Sequence, residues 1–254
     1  MKRKLQNITN SIHSGAAIIL ILVVRQILSG AGIVPSFLLP SPIEVVRAFI
    51  REFPLLMEHA KVTLLEAALG LVLGIGIGFL TAVLMDAFEP FYKALYPVIV
   101  ITQTIPTIAI APLLVLWLGY GVAPKVTLIV IVTFFPVAIG LLEGFRAADT
   151  DTMNLLRAMG ANKIQIFRHV KLPGAMDRFF ASLKISASYS IVGAVIAEWL
   201  GGYNGLGVYM TRVRKSYAFD KLFAVIFLIS AISLLLMRGV AVLQKKLMPW
   251  KTEE

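Results

Sequence analysis

The sequence predicts an all-α, polytopic membrane protein with about six transmembrane helices, organised as a single domain over residues 1–254. Hydrophobic residues make up 58% of the chain and charged residues only 15%, whereas soluble domains average about 45–50% and about 25%. The mean hydropathy is +0.85. Apolar runs of about 20 residues recur along the chain, and a helix of that length crosses about 30 Å of hydrocarbon.

Six apolar runs are predicted to span the membrane: 15–34, 62–85, 94–118, 122–142, 179–200 and 222–243. The basic residues before the first run resemble the start of a signal peptide, but no Ala-x-Ala-type cleavage site follows, so we expect an uncleaved helix. The segment 41–53 is too short and too charged to cross. Its apolar residues recur at helical spacing, which favours an interfacial or periplasmic helix.

Small residues in the second run predict close helix packing. Gly70, Gly74 and Gly78 recur every four positions, which lets two helix backbones approach within a membrane. A glycine-rich phosphate loop is the alternative, but no Gly-Lys-Ser/Thr follows. We therefore expect packing at this stripe.

The net charge and the numbers of cysteines and histidines disfavour several classes of function. The net charge is +10, but the cations flank apolar runs, which is typical of membrane topology and not of a nucleic-acid surface. The chain has no cysteine and only three histidines, far apart in sequence, so neither a disulfide nor a metal site is expected. Predicted cytoplasmic segments carry more Lys and Arg than outside ones, which predicts a cytoplasmic N-terminus and a cytoplasmic segment 149–173.

The segment 149–173 is predicted to be a short, rigid helical element. Leu155, Leu156 and Met159 form an apolar face at helical spacing. Gly160 is suited to end this helix in a left-handed conformation, and Pro173 to start the next transmembrane helix, where its missing N–H does no harm.

The same segment resembles the "EAA" loop of ABC importer permeases. In that family a glycine and nine intervening residues precede an Ile-x-Leu-Pro ending; here Gly160 precedes Val170-Lys171-Leu172-Pro173 at that spacing. The name-giving Glu-Ala-Ala positions hold Asn154, Leu155 and Leu156. Further stretches resemble the branch that imports taurine, alkanesulfonates, nitrate, riboflavin or thiamine-pyrimidine precursors. They are Leu39-Pro40-Ser41-Pro42, Pro106 with Pro112, 116–121, Phe135-Pro136, 197–201 and Gly205-Leu206-Gly207.

The resemblance implies a single permease domain with a core over about 58–246. It also implies a coupling helix that docks into a separate ATPase. The implied ATPase-coupling residues are Asn154, Leu155, Leu156, Arg157, Ala158, Met159, Gly160, Leu172 and Pro173. By resemblance, the chain is no enzyme and holds no cofactor, since ATP and Mg are bound by the partner ATPase. A second permease copy, as a homodimer, and an external binding protein contacting 201–220 are also implied, in a bacterial inner membrane.

Polar residues inside the apolar runs are candidates for the substrate pathway, because charges there cost about 2.5–3.5 kcal/mol each on insertion scales. Gln103 and Thr107 are expected on one face of the third helix, where Pro106 disturbs it. The remaining candidates are Ser186, Tyr189, Ser190 and Glu198. The serines are alternatively helix–helix hydrogen bonds, and Glu198 is alternatively an ion partner of Lys184 or Arg25.

Two other functions account for parts of the sequence. An ion-gradient-driven secondary transporter would use Glu66 and Glu198 as proton or sodium sites, but the coupling-like loop and the lack of detectable inverted repeats disfavour it. A membrane enzyme is disfavoured because the sequence has no Gly-x-Ser-x-Gly and no histidine cluster. The solute stays open, with a pyrimidine precursor or a flavin favoured over a sulfonate.

Overall fold

The computed structural model describes residues 16, 19–30, 35 and 38–249. These residues form helices and connecting turns, without a β-strand in the described ranges. The helices are α1 (Ile19–Gly30), α2 (Pro42–Ala87), α3 (Glu89–Thr102), α4 (Thr107–Leu118), α5 (Val122–Arg146), α6 (Thr150–Ala158), α7 (Lys163–Ile166), α8 (Leu172–Gly201), α9 (Leu206–Lys215) and α10 (Phe219–Leu247). The prediction of an all-α membrane protein is confirmed.

The count of six spans is not confirmed. Four helices are long and apolar enough to cross a membrane: α2, α5, Lys163–Gly201 and α10. The broken pair α3 and α4 makes a fifth if the two are counted together. In the first predicted span the structure describes a helix only over Ile19–Gly30, which is shorter than one crossing requires. The remainder of that span lies outside the described residues.

The predicted interfacial helix and the second span are in fact one continuous helix. The 46-residue α2 runs through both, with Pro54 inside it. The residues that link the two predicted pieces contain no glycine and suit a helix, and Pro54 removes only one backbone donor. The helix predicted over 41–53 is therefore present, but it continues into the second predicted span.

The third predicted span is broken. Helices α3 and α4 meet at an angle of 101° across the residues between Thr102 and Thr107. Pro106 lacks an N–H and disfavours a helical conformation at Ile105, which favours a helix break at this point. The hydroxyls of Thr102 and Thr104 donate to the carbonyls of Ile99 and Ile101, which satisfies acceptors at the end of α3.

The backbone falls into two compact units. The first comprises Met1–Glu58 and Tyr209–Leu228, as far as these are described. Within it, Lys221 forms an ion pair with Glu52 at 2.6 Å, and the Tyr209 hydroxyl donates to the same carboxylate at 3.4 Å. Burial, together with the Glu52 charge, raises the pKa of Tyr209 to about 12.

The second unit comprises His59–Val208 and Ile229–Glu254, as far as these are described. Its centre is the close packing of α2 and α8 against α5. Gly70, Gly74 and Gly78 lie against Ile129, Thr133 and Val137 of α5, also spaced by four. The predicted glycine stripe is therefore confirmed as a helix-packing surface.

The α5–α8 contact uses small residues in the same way. Gly140 lies against Ser182, and Gly144 lies against Ala175. A buried core of Met85, Val137, Leu141, Phe145 and other apolar residues fills the end of the helices nearest α6.

A π-helical turn, Phe167–Lys171, joins α7 to α8, so the helix is continuous over Lys163–Gly201. Pro173 lies in the first turn of α8, as predicted. Because Pro173 has no N–H, the carbonyl of His169 lacks its ordinary donor four residues on. The wider turn accommodates this, and the Leu172 N–H donates to the carbonyl of Phe167 instead.

Candidate coupling segment and buried carboxyl cluster

Helix α6 is capped by its own sequence. The Asp149 side chain accepts hydrogen bonds from the backbone N–H groups of Asp151 and Thr152 and from the Thr152 hydroxyl. These satisfy donors that the first helical turn leaves free. These hydrogen bonds hold the pKa of Asp149 below its ordinary value. The bond from the Thr152 hydroxyl has the largest effect, and the two backbone N–H groups add to it.

Gly160 ends α6, as predicted. Its φ is +87°, a left-handed conformation that glycine adopts without strain. The N–H groups of Gly160 and Ala161 donate to the carbonyls of Arg157 and Leu156, at 3.0 and 2.9 Å. Asn162 then starts α7 through a reciprocal capping box with Gln165.

The α6–α7 segment, residues 149–166, exposes large apolar side chains. Leu155, Met159 and Ile164 are 62%, 74% and 76% exposed. Between the two helices lies a cleft of about 290 Å³, lined by Leu156, Met159, Gly160, Ala161, Gln165 and His169. Exposed apolar residues beside a cleft are typical of a protein-binding surface.

Of the nine predicted coupling residues, seven lie together on α6 and its final turn. The other two begin α8, where Leu172 packs onto the core formed around Phe145 and Pro173 is exposed. The asparagine in the position of the family's glutamate is used locally, because Asn154 accepts a hydrogen bond from Arg157 at 2.9 Å.

One ion pair and one aromatic contact anchor the π-helical turn that follows the segment to the spanning helices. Lys171 donates to both carboxylate oxygens of Asp86 at 2.8 Å, which joins the π-helical turn to the end of α2. The Phe145 and Phe167 ring centroids lie 5.1 Å apart. The turn that connects the segment to α8 is thus attached to both α2 and α5.

Arg146 and Arg178 fasten the ends of α5 and α8 on either side of the segment. The Arg146 guanidinium lies 3.4 Å from the centroid of the Tyr92 ring and 3.2 Å from the Glu89 carboxylate. Arg178 donates to the carbonyl of Glu143 at 2.6 Å. Cation–π and charge-assisted contacts of this kind hold the helix ends in place.

The opposite ends of α5 and α8 meet a second polar site, the buried carboxyl cluster of His59, Thr63, Glu66, Lys125 and Glu198. Helix α2 supplies the first three at helical spacing, α5 supplies Lys125 in its first turn and α8 supplies Glu198 in its last. Lys125 donates to Glu66 Oε1 at 2.6 Å. At about 1.5 Å per residue, the cluster lies about 30 Å along α5 from Arg146, roughly one bilayer thickness.

Glu198 binds the turn between α8 and α9. The Thr63 hydroxyl donates to its Oε1 at 2.7 Å, and the Gly207 N–H donates to its Oε2 at 2.6 Å. The N–H groups of Gly205 and Leu206 donate to His59 Nδ1 and Thr63 Oγ1, at 3.0 and 2.8 Å. Three consecutive backbone donors are therefore satisfied by buried side chains.

Glycine is the only residue type that fits at position 205 in this turn. Its φ is +125°, and a Cβ there would overlap the Glu198 carboxyl group. The glycine run that reads in the sequence as a helix breaker thus also allows the backbone to approach a buried acid.

The predicted partners of Glu198 are wrong. Lys184 donates to Gln244 at 2.8 Å, and Arg25 donates to the carbonyl of Pro40 at 3.0 Å. The cation of the cluster is Lys125, at the start of the fourth predicted span, which was not among the predicted partners. The available signal was a lysine four residues after Gly121, at the start of an apolar run.

The predicted pathway residues lie in different surroundings. Gln103 lies in the break after α3 and Thr107 begins α4, so the expected shared helix face is wrong. The Ser186 hydroxyl donates to the Thr133 carbonyl of α5 at 3.0 Å, which confirms the helix–helix alternative for that serine. Ser190 is buried and donates to the Ala187 carbonyl of its own helix, whereas Tyr189 is half exposed.

Several helices are able to cross a membrane and an exposed amphipathic segment lies between two of them, which is the architecture of an integral membrane subunit with a protein-binding surface. Within the described ranges, no group of three or more His, Cys, Asp or Glu side chains could hold a metal ion. The chain belongs to the family of binding-protein-dependent transport system inner membrane components, whose model matches residues 74–249.

Curated relatives agree with this family. The chain is 35% identical over 236 residues to the formylaminopyrimidine transport permease protein ThiX of Halalkalibacterium halodurans, covering 92% of this chain and 94% of that protein. It is 30% identical over 234 residues to the putative aliphatic sulfonates transport permease protein SsuC of Bacillus subtilis, covering 91% and 84%.

The fold agrees as well. An inward-facing structure of the MetNI methionine ABC transporter matches with a TM-score of 0.67 at 18% identity, covering 77% of this chain and 97% of that one. The chain is therefore an ABC importer permease of the branch that includes these curated relatives, and is not itself an enzyme.

Proposed function

We propose that this chain carries a small organic nutrient across the membrane while a separate ATPase docks on residues 154–160. The observation that carries the proposal is the exposed apolar face of α6, on a segment capped at both ends of its helix and tied to α2 and α5. An element that conveys a push has to be rigid, and an apolar surface outside the membrane needs a partner.

The remaining parts follow from the same assembly. The α6–α7 segment faces the cytoplasm, with the N-terminus on the same side, as the bias of Lys and Arg indicates. ATP and Mg are bound by the ATPase. A second copy of this chain completes the pathway, and an external binding protein delivers the solute to the side on which the α8–α9 turn lies.

We further propose that the solute is a pyrimidine precursor of thiamine or a flavin. The 35% identity to a formylaminopyrimidine permease over 92% of this chain supports this class. Sulfonates, taurine and nitrate are the other solutes named for relatives in this branch. The comparisons lend no support to a gradient-driven transporter.

Co-purification with the ATPase encoded by a neighbouring gene tests the docking surface. We expect the wild-type chain to retain the ATPase and Gly160→Arg to lose it. Gly119→Arg is the matched control, since Gly119 also has a positive φ and open space around it but lies between α4 and α5. Loss of the ATPase in both variants would contradict docking at α6. Wild type that purifies alone and drives ATP-independent, proton-linked uptake would overturn the function.

Uptake into proteoliposomes tests the solute. The assembled complex, supplied with its binding protein, should accumulate labelled formylaminopyrimidine or riboflavin in an ATP-dependent way and should not accumulate taurine. Preferential uptake of taurine would contradict the solute class while leaving the docking proposal standing.

A further inference from the structure

The buried carboxyl cluster contains more acid than base. Glu66, Glu198 and Lys125 are only 2%, 1% and 5% exposed. His59 Nδ1 accepts a hydrogen bond from the Gly205 N–H, so that nitrogen carries no proton and the imidazole is neutral. With both acids ionised, the cluster would carry one uncompensated negative charge in a region of low dielectric, which is costly.

The hydrogen bonds distinguish the two acids. Both oxygens of Glu198 accept, one from the Thr63 hydroxyl and one from the Gly207 N–H. Thr63 Oγ1 already accepts from the Leu206 N–H, so it has one hydrogen to donate. Glu198 Oε1 lies nearer to that hydroxyl, at 2.7 Å, than the His59 carbonyl does, at 3.3 Å. Glu198 is therefore placed as the ionised acid.

Glu66 is half satisfied. Its Oε1 accepts from Lys125, but its buried Oε2 has no hydrogen-bond partner among the described residues. Glu198 bonds to Thr63, which lies three residues before Glu66 and therefore on the same face of α2, so the two acids are neighbours. A hydrogen on Glu66 Oε2 would turn an unsatisfied acceptor into a donor facing an ionised carboxylate.

We infer that Glu66 and Glu198 form a buried proton-binding site, which holds one proton on Glu66 Oε2 next to the ionised Glu198. The bound proton leaves one ammonium and one carboxylate, so the cluster is neutral. It thereby keeps Glu198 in position to bind the α8–α9 turn. The proton is a structural ligand in this arrangement, and no gradient is needed to load it.

Infrared spectroscopy of the purified full-length chain in its assembled complex tests the proton directly. A protonated carboxyl group has a carbonyl stretch distinct from that of a carboxylate. We expect wild type to show this band at neutral pH and Glu66→Gln to lose it. Glu58→Gln is the matched control, because Glu58 is an exposed acid on the same helix, and it should retain the band. Wild type without the band at neutral pH would overturn the inference.

The dependence of Tm on pH gives a second readout. The folded chain keeps the proton on Glu66, whereas the unfolded chain releases it above the ordinary carboxyl pKa. The Tm of wild type should therefore fall as pH rises through neutral and level off once the folded chain also loses the proton. Glutamine resembles the protonated acid, so the Tm of Glu66→Gln should be nearly constant over the same range, and that of Glu198→Gln should be lower at every pH. The other titratable groups facing the pair, Lys125 and His59, are unchanged in all variants.

Sodium distinguishes a metal ion from a proton at this site. Stabilisation of wild type by sodium chloride over choline chloride, absent in Glu66→Gln, would mean that a cation occupies the site and would overturn the inference. If Glu66→Gln does not assemble, the Glu58→Gln variant decides instead. Its infrared band, like that of wild type, should be lost at alkaline pH. None of these readouts measures ATP hydrolysis or solute uptake.

Discussion

The α6–α7 segment and the buried carboxyl cluster are polar sites of an apolar chain, and they are built in opposite ways. In the segment, Asp149 and Asn162 bond to groups two or three residues away, in the open. In the cluster, Glu198 bonds to Thr63, which is 135 residues away in sequence and fully buried. Hydrogen bonds between residues close in sequence tolerate solvent and can be predicted from the sequence. Buried hydrogen bonds depend on partners that are distant in sequence.

The comparison predicts that single substitutions cost most in the cluster. Lys125→Met removes the only cation bonded to Glu66 among the described residues, and the free energy of unfolding should fall by about 3–5 kcal/mol because a buried carboxyl loses its partner. Lys93→Met is the control, since the Lys93–Glu89 pair is exposed and such pairs contribute about 0–1 kcal/mol. Denaturant unfolding of the purified chain measures both, and equal losses would break the contrast.

The next largest effect is expected where α2 packs on α5. A Cβ on Gly74 would overlap the Thr133 side chain, so Gly74→Ala should lower the free energy of unfolding by about 1–3 kcal/mol through overpacking. Gly76 lies on the same helix with nothing near it, so Gly76→Ala should be neutral or stabilising. Thermal unfolding of the two variants decides, and a stable Gly74→Ala would mean that the helices separate more easily than the contact implies.

A smaller, local effect is expected at the end of α6. Gly160→Ala meets open space but imposes a positive φ on a residue with a side chain, at a cost of about 1–2 kcal/mol. Gly174→Ala, also in open space but helical, should not cost stability. Hydrogen exchange over 154–162 should quicken only in the first variant, while the rest of the chain keeps its protection. Faster exchange over the whole chain would mean that the stability of the segment is not independent of the other helices.

The smallest effect concerns Asp149 and pH. Its pKa is lowered in the folded state, so its capping contribution is present above the ordinary carboxyl pKa and is lost as pH falls through the lowered one. Protection of α6 amides, corrected for intrinsic exchange, should therefore weaken in acid. Asp149→Asn keeps an effective cap without a titrating charge, and its protection should not change with pH. Parallel behaviour of the two proteins would show that another group governs α6.

The sequence by itself determined the structural features that depend on residues close together along the chain. Long apolar runs required helices, Gly160 ended α6 in a left-handed turn, and the Gly70–Gly74–Gly78 spacing required close packing. The break before Pro106 had a local signal too, but how far the chain bends there was decided by its surroundings.

Only the tertiary structure decided which charges meet. Lys125, Glu66 and Glu198 stand on three helices, and their pairing follows from how α2, α5 and α8 pack, which no spacing within one helix records. The tertiary structure likewise decided that 41–53 and the second predicted span form one helix. The local sequence pattern was compatible with one continuous helix or with two separate helices. Helical periodicity extends over a few turns, whereas a buried charge finds its partner through the fold.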